Sequence, residues 1–246
     1  MQLNTDGVEF SAKDRKKKIR VPTQTSIDLA YFCGILAGDG SIYTRAKKFD
    51  NIIKCVGNPR SEQGLYTDVL APLMRRLFNF VPIMKVQDSG TTFGFCIYSK
   101  AMYSFFTRTI GMPSGKKYDK LCIPPVFKQE LSQCFAFIRG VADTDFYVKL
   151  VKKNYPVIVG VSKSESFLKE MGEYLRREGF TYNMYCRVQH DKRLKVPKTI
   201  YVYELNFSGR RNLQLWMEKI GFSSPKHLAR IRLYEQTQIN NTSYDG

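Results

Sequence analysis

Two aspartates stand next to last in apolar segments that differ in sequence but share a plan. Asp39 lies in FCGILAGDG (32–40) and Asp145 in IRGVADTDF (138–146). Small residues recur four apart in both: Cys33 with Ala37 and Gly34 with Gly38 in the first, Ala136, Gly140 and Thr144 in the second. On a helix this spacing lines small side chains along one face, which lets two backbones approach closely. If those faces pack together, the C-terminal ends arrive side by side and the two aspartates meet at the base of the interface.

Such a placement is costly in isolation. A carboxylate at a helix C-terminus opposes the negative end of the dipole by about 0.3–1 kcal/mol, and a second carboxylate nearby adds repulsion. A divalent cation removes both penalties. Two carboxylates, helix-end carbonyls and phosphate oxygens form an all-oxygen donor set that suits Mg²⁺, with Mn²⁺ as substitute, better than zinc or copper. The chemistry expected of such ions is metal-assisted phosphodiester hydrolysis. AGDGS is also a good turn sequence, so Asp39 alone would carry little weight. Its weight comes from Asp145 at the matching place in a duplicated chain.

The duplication runs from about Ser26–Lys116 to about Phe127–Lys226 and rests on four anchors. The aspartate segments match at an offset of 106, and RSEQGL (60–65) matches KSESFL (163–168) at 103. Arg75 and Arg76 match Arg176 and Arg177 at 101, and YSKAMYSFFTRTIGMPSGKK (98–117) resembles FSGRRNLQLWMEKIGFSSPKH (207–227) at 110. The last anchor sets Gly111 against Gly221 and Lys116 against Lys226.

Each repeat reads as helix, two strands, helix, two strands, helix. Thr25 or Ser26 is expected to cap the first helix, and Pro124 and Pro125 to open its counterpart. The strands are the alternating stretches SIYTRAKKF, NIIKCVG, PIMKVQD and TTFGFCIYS, then FYVKLVKK, PVIVGVS, YNMYCRVQH and TIYVYELNFS. In the first of these, Ile42, Thr44 and Ala46 share one face, while Ser41, Tyr43, Arg45 and Lys47 share the other. The expected organisation is a flexible basic arm (1–20), a first repeat (21–116), a linker (117–125), a second repeat (126–234) and a tail (235–246).

Length and charge narrow the function. The 246 residues allow one large or two small cores, and 39 Lys plus Arg against 22 Asp plus Glu give a net charge of +17. That balance favours a polyanion. No apolar run approaches the roughly 20 residues of a spanning helix, and the basic residues are spread along the chain, so nucleic acid is favoured over a membrane. Cys33, Cys55, Cys96, Cys122, Cys134 and Cys186 form no CxxC pair and read as buried free thiols in a reducing compartment. The N-terminus lacks the apolar core of a secretory signal, which points to an intracellular setting: cytoplasm, nucleoid or organelle matrix. The two histidines, His190 and His227, suit a loop or phosphate contact better than a metal site.

The paired GILAGDG and GVADTDF segments, inside repeats covering nearly the whole chain, resemble the double motif of the LAGLIDADG homing endonuclease family. The resemblance implies an α+β fold of two pseudo-twofold αββαββα repeats, with antiparallel saddle-shaped sheets and a two-helix motif interface. It assigns the metal role to Asp39 and Asp145, with the carbonyls of Gly38 and Thr144 as further ligands. It gives Lys116 and Lys226 a role in polarising the hydrolytic water; Arg60 and Lys163, matched by the second anchor, are further candidates for water positioning or phosphate contact. Two departures stand out: Ala37 replaces the first motif's earlier Asp, and Phe146 replaces the second motif's final Gly, where DNA backbone is expected to approach.

A net charge of +17 spread through strands exceeds what solubility requires. Tyr43, Arg45, Lys47, Lys54, Lys149, Lys152, Arg187, Gln189, Lys192, Arg193 and Tyr203 are the expected groove contacts, Arg or Lys reading guanine and Gln reading adenine. A strand of about eight residues spans about 26 Å, close to eight base pairs, so two halves imply an asymmetric target of about 16–22 base pairs. The expectation is a monomeric, metal-dependent double-strand DNA endonuclease. Met1 and the final Asp245 and Gly246, in place of Cys or Ser and His-Asn, point to an intron-encoded protein over a self-splicing intein. The alternative is a non-cleaving binder such as a maturase acting on intron RNA.

Overall fold

The computed structural model describes residues 1–45, 47, 50–151, 155–191 and 198–242. Its helices are α1 (Ala12–Lys16), α2 (Ile27–Gly38), α3 (Ala71–Phe78), α4 (Lys100–Ser104), α5 (Pro125–Lys128), α6 (Leu131–Asp145), α7 (Glu165–Arg177), α8 (Arg210–Lys219) and α9 (Pro225–Thr242). Wide π turns extend two of them: Leu65–Leu70 leads into α3, and Phe105–Thr109 continues α4.

The strands are β1 (Gly40–Arg45), β2 (Asp50–Gly57), β3 (Lys85–Gln87), β4 (Thr92–Tyr98), β5 (Phe146–Val151), β6 (Tyr155–Ser162), β7 (Asn183–Asp191) and β8 (Lys198–Ser208). They form two antiparallel four-stranded sheets of the same order, β1-β2-β4-β3 and β5-β6-β8-β7. The helix and strand order therefore recurs as the repeat implied, with α9 added after the second copy.

Alternation explains which face each sheet buries. Ile42, Ile53, Cys55, Phe95 and Ile97 of the first sheet, and Phe146, Val148, Ile158, Leu205 and Phe207 of the second, join one continuous apolar core with the helices. Phe32, Phe78, Phe95 and Phe106 cluster under the first sheet, while Phe146, Phe180, Phe207 and Phe222 surround Trp216 under the second. Helix α2 is buried from Leu29 to Ala37, consistent with a sequence apolar on every side.

Several local expectations are corrected. Ser26, not Thr25, caps α2 by accepting the Leu29 N–H at 3.1 Å; Thr25 instead accepts from the N-terminal amine. Pro124 and Pro125 open the short α5, and the motif helix α6 begins only at Leu131. β3 is three residues long because a left-handed turn at Asp88 and Ser89 ends it, whereas β7 runs for nine. Residues 1–20 are no free arm: Leu3 and Ile19 are buried, and Asp14, inside the capping box that opens α1, accepts the Ala101 N–H at 3.2 Å. The tail continues α9 as far as Thr242. Cys33, Cys55 and Cys134 are buried as expected, but Cys122 and Cys186 are exposed.

Candidate active site

The two motif helices meet where the small residues predicted it. A Cβ added to Gly34 would lie 2.1 Å from the Phe137 carbonyl oxygen, and one added to Gly140 would lie 2.2 Å from that of Tyr31. Lower in the same seam, a Cβ on Gly38 would strike the Thr144 hydroxyl at 1.9 Å. Only hydrogen fits at these places, and that closeness is what brings the two C-termini together.

At the base of the seam Asp39 ends α2 as its C-cap, and Asp145 is the last residue of α6. Both line an open cavity of about 610 Å³ between the sheets, together with Gly38, Ser41, Lys116, Lys117, Ser162 and Gln189. Burial pushes the Asp39 carboxyl up to about 7, reinforced by the negative charges of Asp145 and Glu62 and opposed by Lys117 and Lys226. Burial also raises Asp145, to about 6; Lys117 opposes this and Glu62 adds to it.

Lys117, rather than Lys116, reaches the motif. Its Nζ donates to the carbonyl oxygens of Ala37 (2.8 Å), Gly38 and Gly40 (2.7 Å), neutralising the end of α2. Burial lowers its pKa, and the nearby acidic groups oppose the shift. Lys116 lines the cavity but is exposed. Lys226, at the start of α9, donates to Glu62 Oε1 at 2.5 Å. Glu62 is a functional candidate that sequence reasoning missed. It sits in the RSEQ anchor, and nothing in the pattern separates it from its match Glu165, which lies on the surface of α7 and pairs with Lys169 at 2.6 Å.

The remaining candidates sort by face. Tyr43, Arg45 and Lys54 share the cavity side of the first sheet with Ser41, as the β1–β2 register requires. Arg45 is tied to Asp50 at 2.7 Å and to the Tyr98 hydroxyl at 3.2 Å, and Lys54 to Asp88 at 2.8 Å. Lys47 is exposed just beyond β1. In the second sheet Lys149 alternates with buried Phe146 and Val148, while Arg187, 3.0 Å from Glu204, shares a face with Gln189. Exposed Tyr147 and Tyr185 join that face and were not foreseen. Lys152, Lys192 and Arg193 lie outside the described residues. Arg60 is exposed, and Lys163 lies over the Tyr118 ring at 5.2 Å beside the cavity.

Four expectations change here. Tyr203 shares its face with Leu205 and Phe207 and packs against the core near Glu165 of α7, so it points to the helices and away from the cavity. Phe146 does not face incoming DNA: it is buried against Trp216 at 5.7 Å, over Gly160, where a Cβ would strike the ring at 2.3 Å. The Gly38 carbonyl, expected as a metal ligand, already accepts from Lys117. His227 is no loop residue; it is buried against Phe222 at 4.7 Å, and burial holds it neutral with a pKa lowered to about 4.

Among the described residues no group of three or more His, Cys, Asp or Glu side chains has metal-site geometry. A cation here would rely on Asp39, Asp145, main-chain carbonyls and substrate oxygens. Two buried carboxylates, both raised by burial and Asp39 further by the charge of Asp145, fit that use, and the donors are all hard oxygens. No helix among the described residues is long and apolar enough to cross a membrane.

Residues 132–221, most of the second repeat, match the family model of the LAGLIDADG-like domain. No curated protein matches the chain in sequence. Among solved structures, I-DmoI in complex with DNA and Ca is 19% identical with a TM-score of 0.58, covering 84% of this chain and 96% of that one. The LAGLIDADG meganuclease I-AabMI bound to uncleaved DNA is 10% identical with a TM-score of 0.52, over 89% and 93% of the two chains. The homing endonuclease I-WcaI bound to its DNA recognition sequence is 10% identical with a TM-score of 0.51, over 88% and 91%. At these identities the likeness is one of fold. The chain carries a LAGLIDADG-like domain in its second repeat and has, across both repeats, the single-chain, double-motif fold of the LAGLIDADG homing endonucleases.

Proposed function

We propose that the chain is a site-specific DNA endonuclease that hydrolyses both strands of a long, asymmetric duplex target as a monomer. The observation that carries this reading is the pairing of Asp39 and Asp145 at the ends of two helices, beneath a cavity flanked by the basic faces of two sheets. The sheets supply Tyr43, Arg45, Lys47, Lys54, Lys149, Arg187 and Gln189 as groove contacts, half or more of a typical interface's hydrogen bonds going to phosphate and sugar. Because the two sheets differ at most exposed positions, the target of about 16–22 base pairs has little symmetry.

Asp39 and Asp145 would hold Mg²⁺, or Mn²⁺ in its place, to activate water and stabilise the leaving oxygen. Lys117 and Lys226 place positive charge beside the carboxylates, where the phosphate's negative charge grows during hydrolysis. The DNA interfaces of I-DmoI and I-AabMI support a duplex substrate by analogy of fold. We further propose an intron origin for the gene. A binder that never cuts, such as a maturase, has no need of two crowded carboxylates, and their cost favours the nuclease.

Metal dependence tests the reading. The chain should cleave its target with Mg²⁺ or Mn²⁺ and stop on addition of EDTA. Equal action on nucleic acid in EDTA would replace the nuclease with a binder.

A further inference from the structure

Lys117 and Lys226 both lie just after the last helix of their repeats, Lys117 one position beyond the residue that matches Lys226, and they are held differently. Lys117 directs its ammonium at three carbonyl oxygens at the end of α2. A lysine related by the repeat would lie on the end of α6. Lys226 instead donates to Glu62 Oε1 at 2.5 Å, crossing from the start of α9 to the loop after β2 in the other repeat.

Glu62 is built into this place. It is only 8% exposed, and its Oε2 accepts the Asn58 N–H at 2.6 Å. Gly57 makes room for it, since a Cβ there would lie 2.3 Å from the same oxygen. Among the described residues the second repeat has no counterpart to this arrangement, because the matching Glu165 faces outward to Lys169.

We propose that Glu62 is a positioning residue that holds Lys226 off the end of the second motif helix, so that the two lysines serve the two DNA strands unequally. The inference rests on the endonuclease reading above. Lys117 hydrogen-bonds neutral carbonyls, with the Asp39 and Asp145 carboxylates nearby but neither paired with it directly. Lys226 has its charge offset by a carboxylate and must leave or share Glu62 to make the same contact. The strand that depends on Lys226 is cut more slowly.

The test uses the target duplex with its strands separately labelled, and the full chain as wild type, Glu62→Gln, Lys226→Met and Lys117→Met. Glu62→Gln keeps an acceptor for the Asn58 N–H while removing the charge. With Mg²⁺, the wild type should cut one strand about tenfold more slowly, equivalent to about 1.4 kcal/mol. Glu62→Gln should accelerate that strand towards the other, Lys226→Met should slow that same strand, and Lys117→Met should act mainly on its partner. In EDTA, Glu62→Gln should steepen the salt dependence of duplex binding by about 0.9 in log–log slope, as Lys226 becomes free for one more phosphate.

Equal strand rates in the wild type, or a Glu62→Gln variant slower on both strands with an unchanged salt slope, would overturn the proposal and leave Glu62 a structural role. Cleavage of neither strand by any variant would count against the endonuclease reading itself. In that case the salt slope still decides whether Glu62 restrains Lys226, and an unchanged slope overturns the proposal.

Discussion

The Tyr31 hydroxyl donates to Asp143 Oδ2 at 2.7 Å, joining the two motif helices across the seam between the repeats. The same buried carboxylate accepts the N–H groups of Ser223 and Ser224 at 3.0–3.1 Å, fixing the turn that leads to Lys226. Position 143 is thus a structural acid, and its counterpart Ala37 carries no such duty. Removing Tyr31's hydroxyl as Tyr31→Phe leaves Asp143 one donor short and should cost about 1.5–3 kcal/mol, the range for a hydrogen bond to a charged group. Chemical denaturation would measure it. A loss below about 0.5 kcal/mol would mean the bridge is not under tension to hold the halves.

Close approach at the seam predicts that Gly140→Val is far more damaging than a typical glycine replacement. Its new atoms meet the Tyr31 carbonyl and the Gly34 Cα, both backbone, so the helices must part. The expected destabilisation is at least about 3 kcal/mol, at the upper end for overpacking. A midpoint of urea unfolding close to wild type would show that the seam is looser than the geometry implies.

The metal-free protein should lose stability as pH rises. Asp39 and Asp145 have folded-state pKa values raised above those of the unfolded chain, to about 7 and about 6. The folded state therefore binds protons more tightly, so the protonated groups favour folding at low pH and that stability is lost as pH rises from about 4 through these values. Asp39→Asn should raise the melting temperature in EDTA at pH 8, by the equivalent of about 2 kcal/mol, and should abolish the gain from added Mg²⁺. Thermal melts across pH 5–8 would check both sign and metal linkage.

The neighbouring lysines give a sharp contrast. Lys117→Met should lower the cleavage rate about 100-fold, within the range for removing one charge-stabilising donor. Lys116→Met, exposed at the cavity rim, should alter it less than threefold, a loss of about 0.6 kcal/mol or smaller. Single-turnover rates on the same duplex would measure both, and a reversal of the order would restore Lys116 to the role the sequence assigned it.

Phe146→Gly restores the residue that the motif resemblance leads one to expect, and it should harm the protein. The ring fills the space above Gly160 beside Trp216, so its loss opens a core cavity worth about 3–5 kcal/mol. Calorimetry would record the fall. A stable variant with faster cleavage would instead place Phe146 in the path of DNA.

What could be read from the sequence was whatever repeats or alternates. The aspartates, the small-residue seam and the order of helices and strands all carry a period, and Asp39, Asp145, Gly34 and Gly140 lie where that period put them. Misplacements arose where one residue's choice is made by tertiary contact. Lys116 and Lys117 are adjacent, and only the path of the loop over α2 decides which ammonium meets the carbonyls. Glu62 and Glu165 match in sequence but only one is enclosed, because Lys226 approaches from the other repeat. Tyr203 falls on the helix side because the β6–β8 register sets it in phase with Leu205 and Phe207. The N-terminal segment looked like a charged arm because its anchors, Leu3, Asp14 and Ile19, are single residues with no period between them.

The central claim is that Asp39 and Asp145 together form a metal-dependent centre for cutting duplex DNA. Its most direct test is cleavage of a randomised duplex library by the wild type, Asp39→Asn and Asp145→Asn, each with Mg²⁺ and with Ca²⁺. The account predicts one long, asymmetric site cut by the wild type with Mg²⁺, with double-strand cleavage lost in both variants. Tight binding without cutting in either metal, or full double-strand cleavage by either variant, would contradict it.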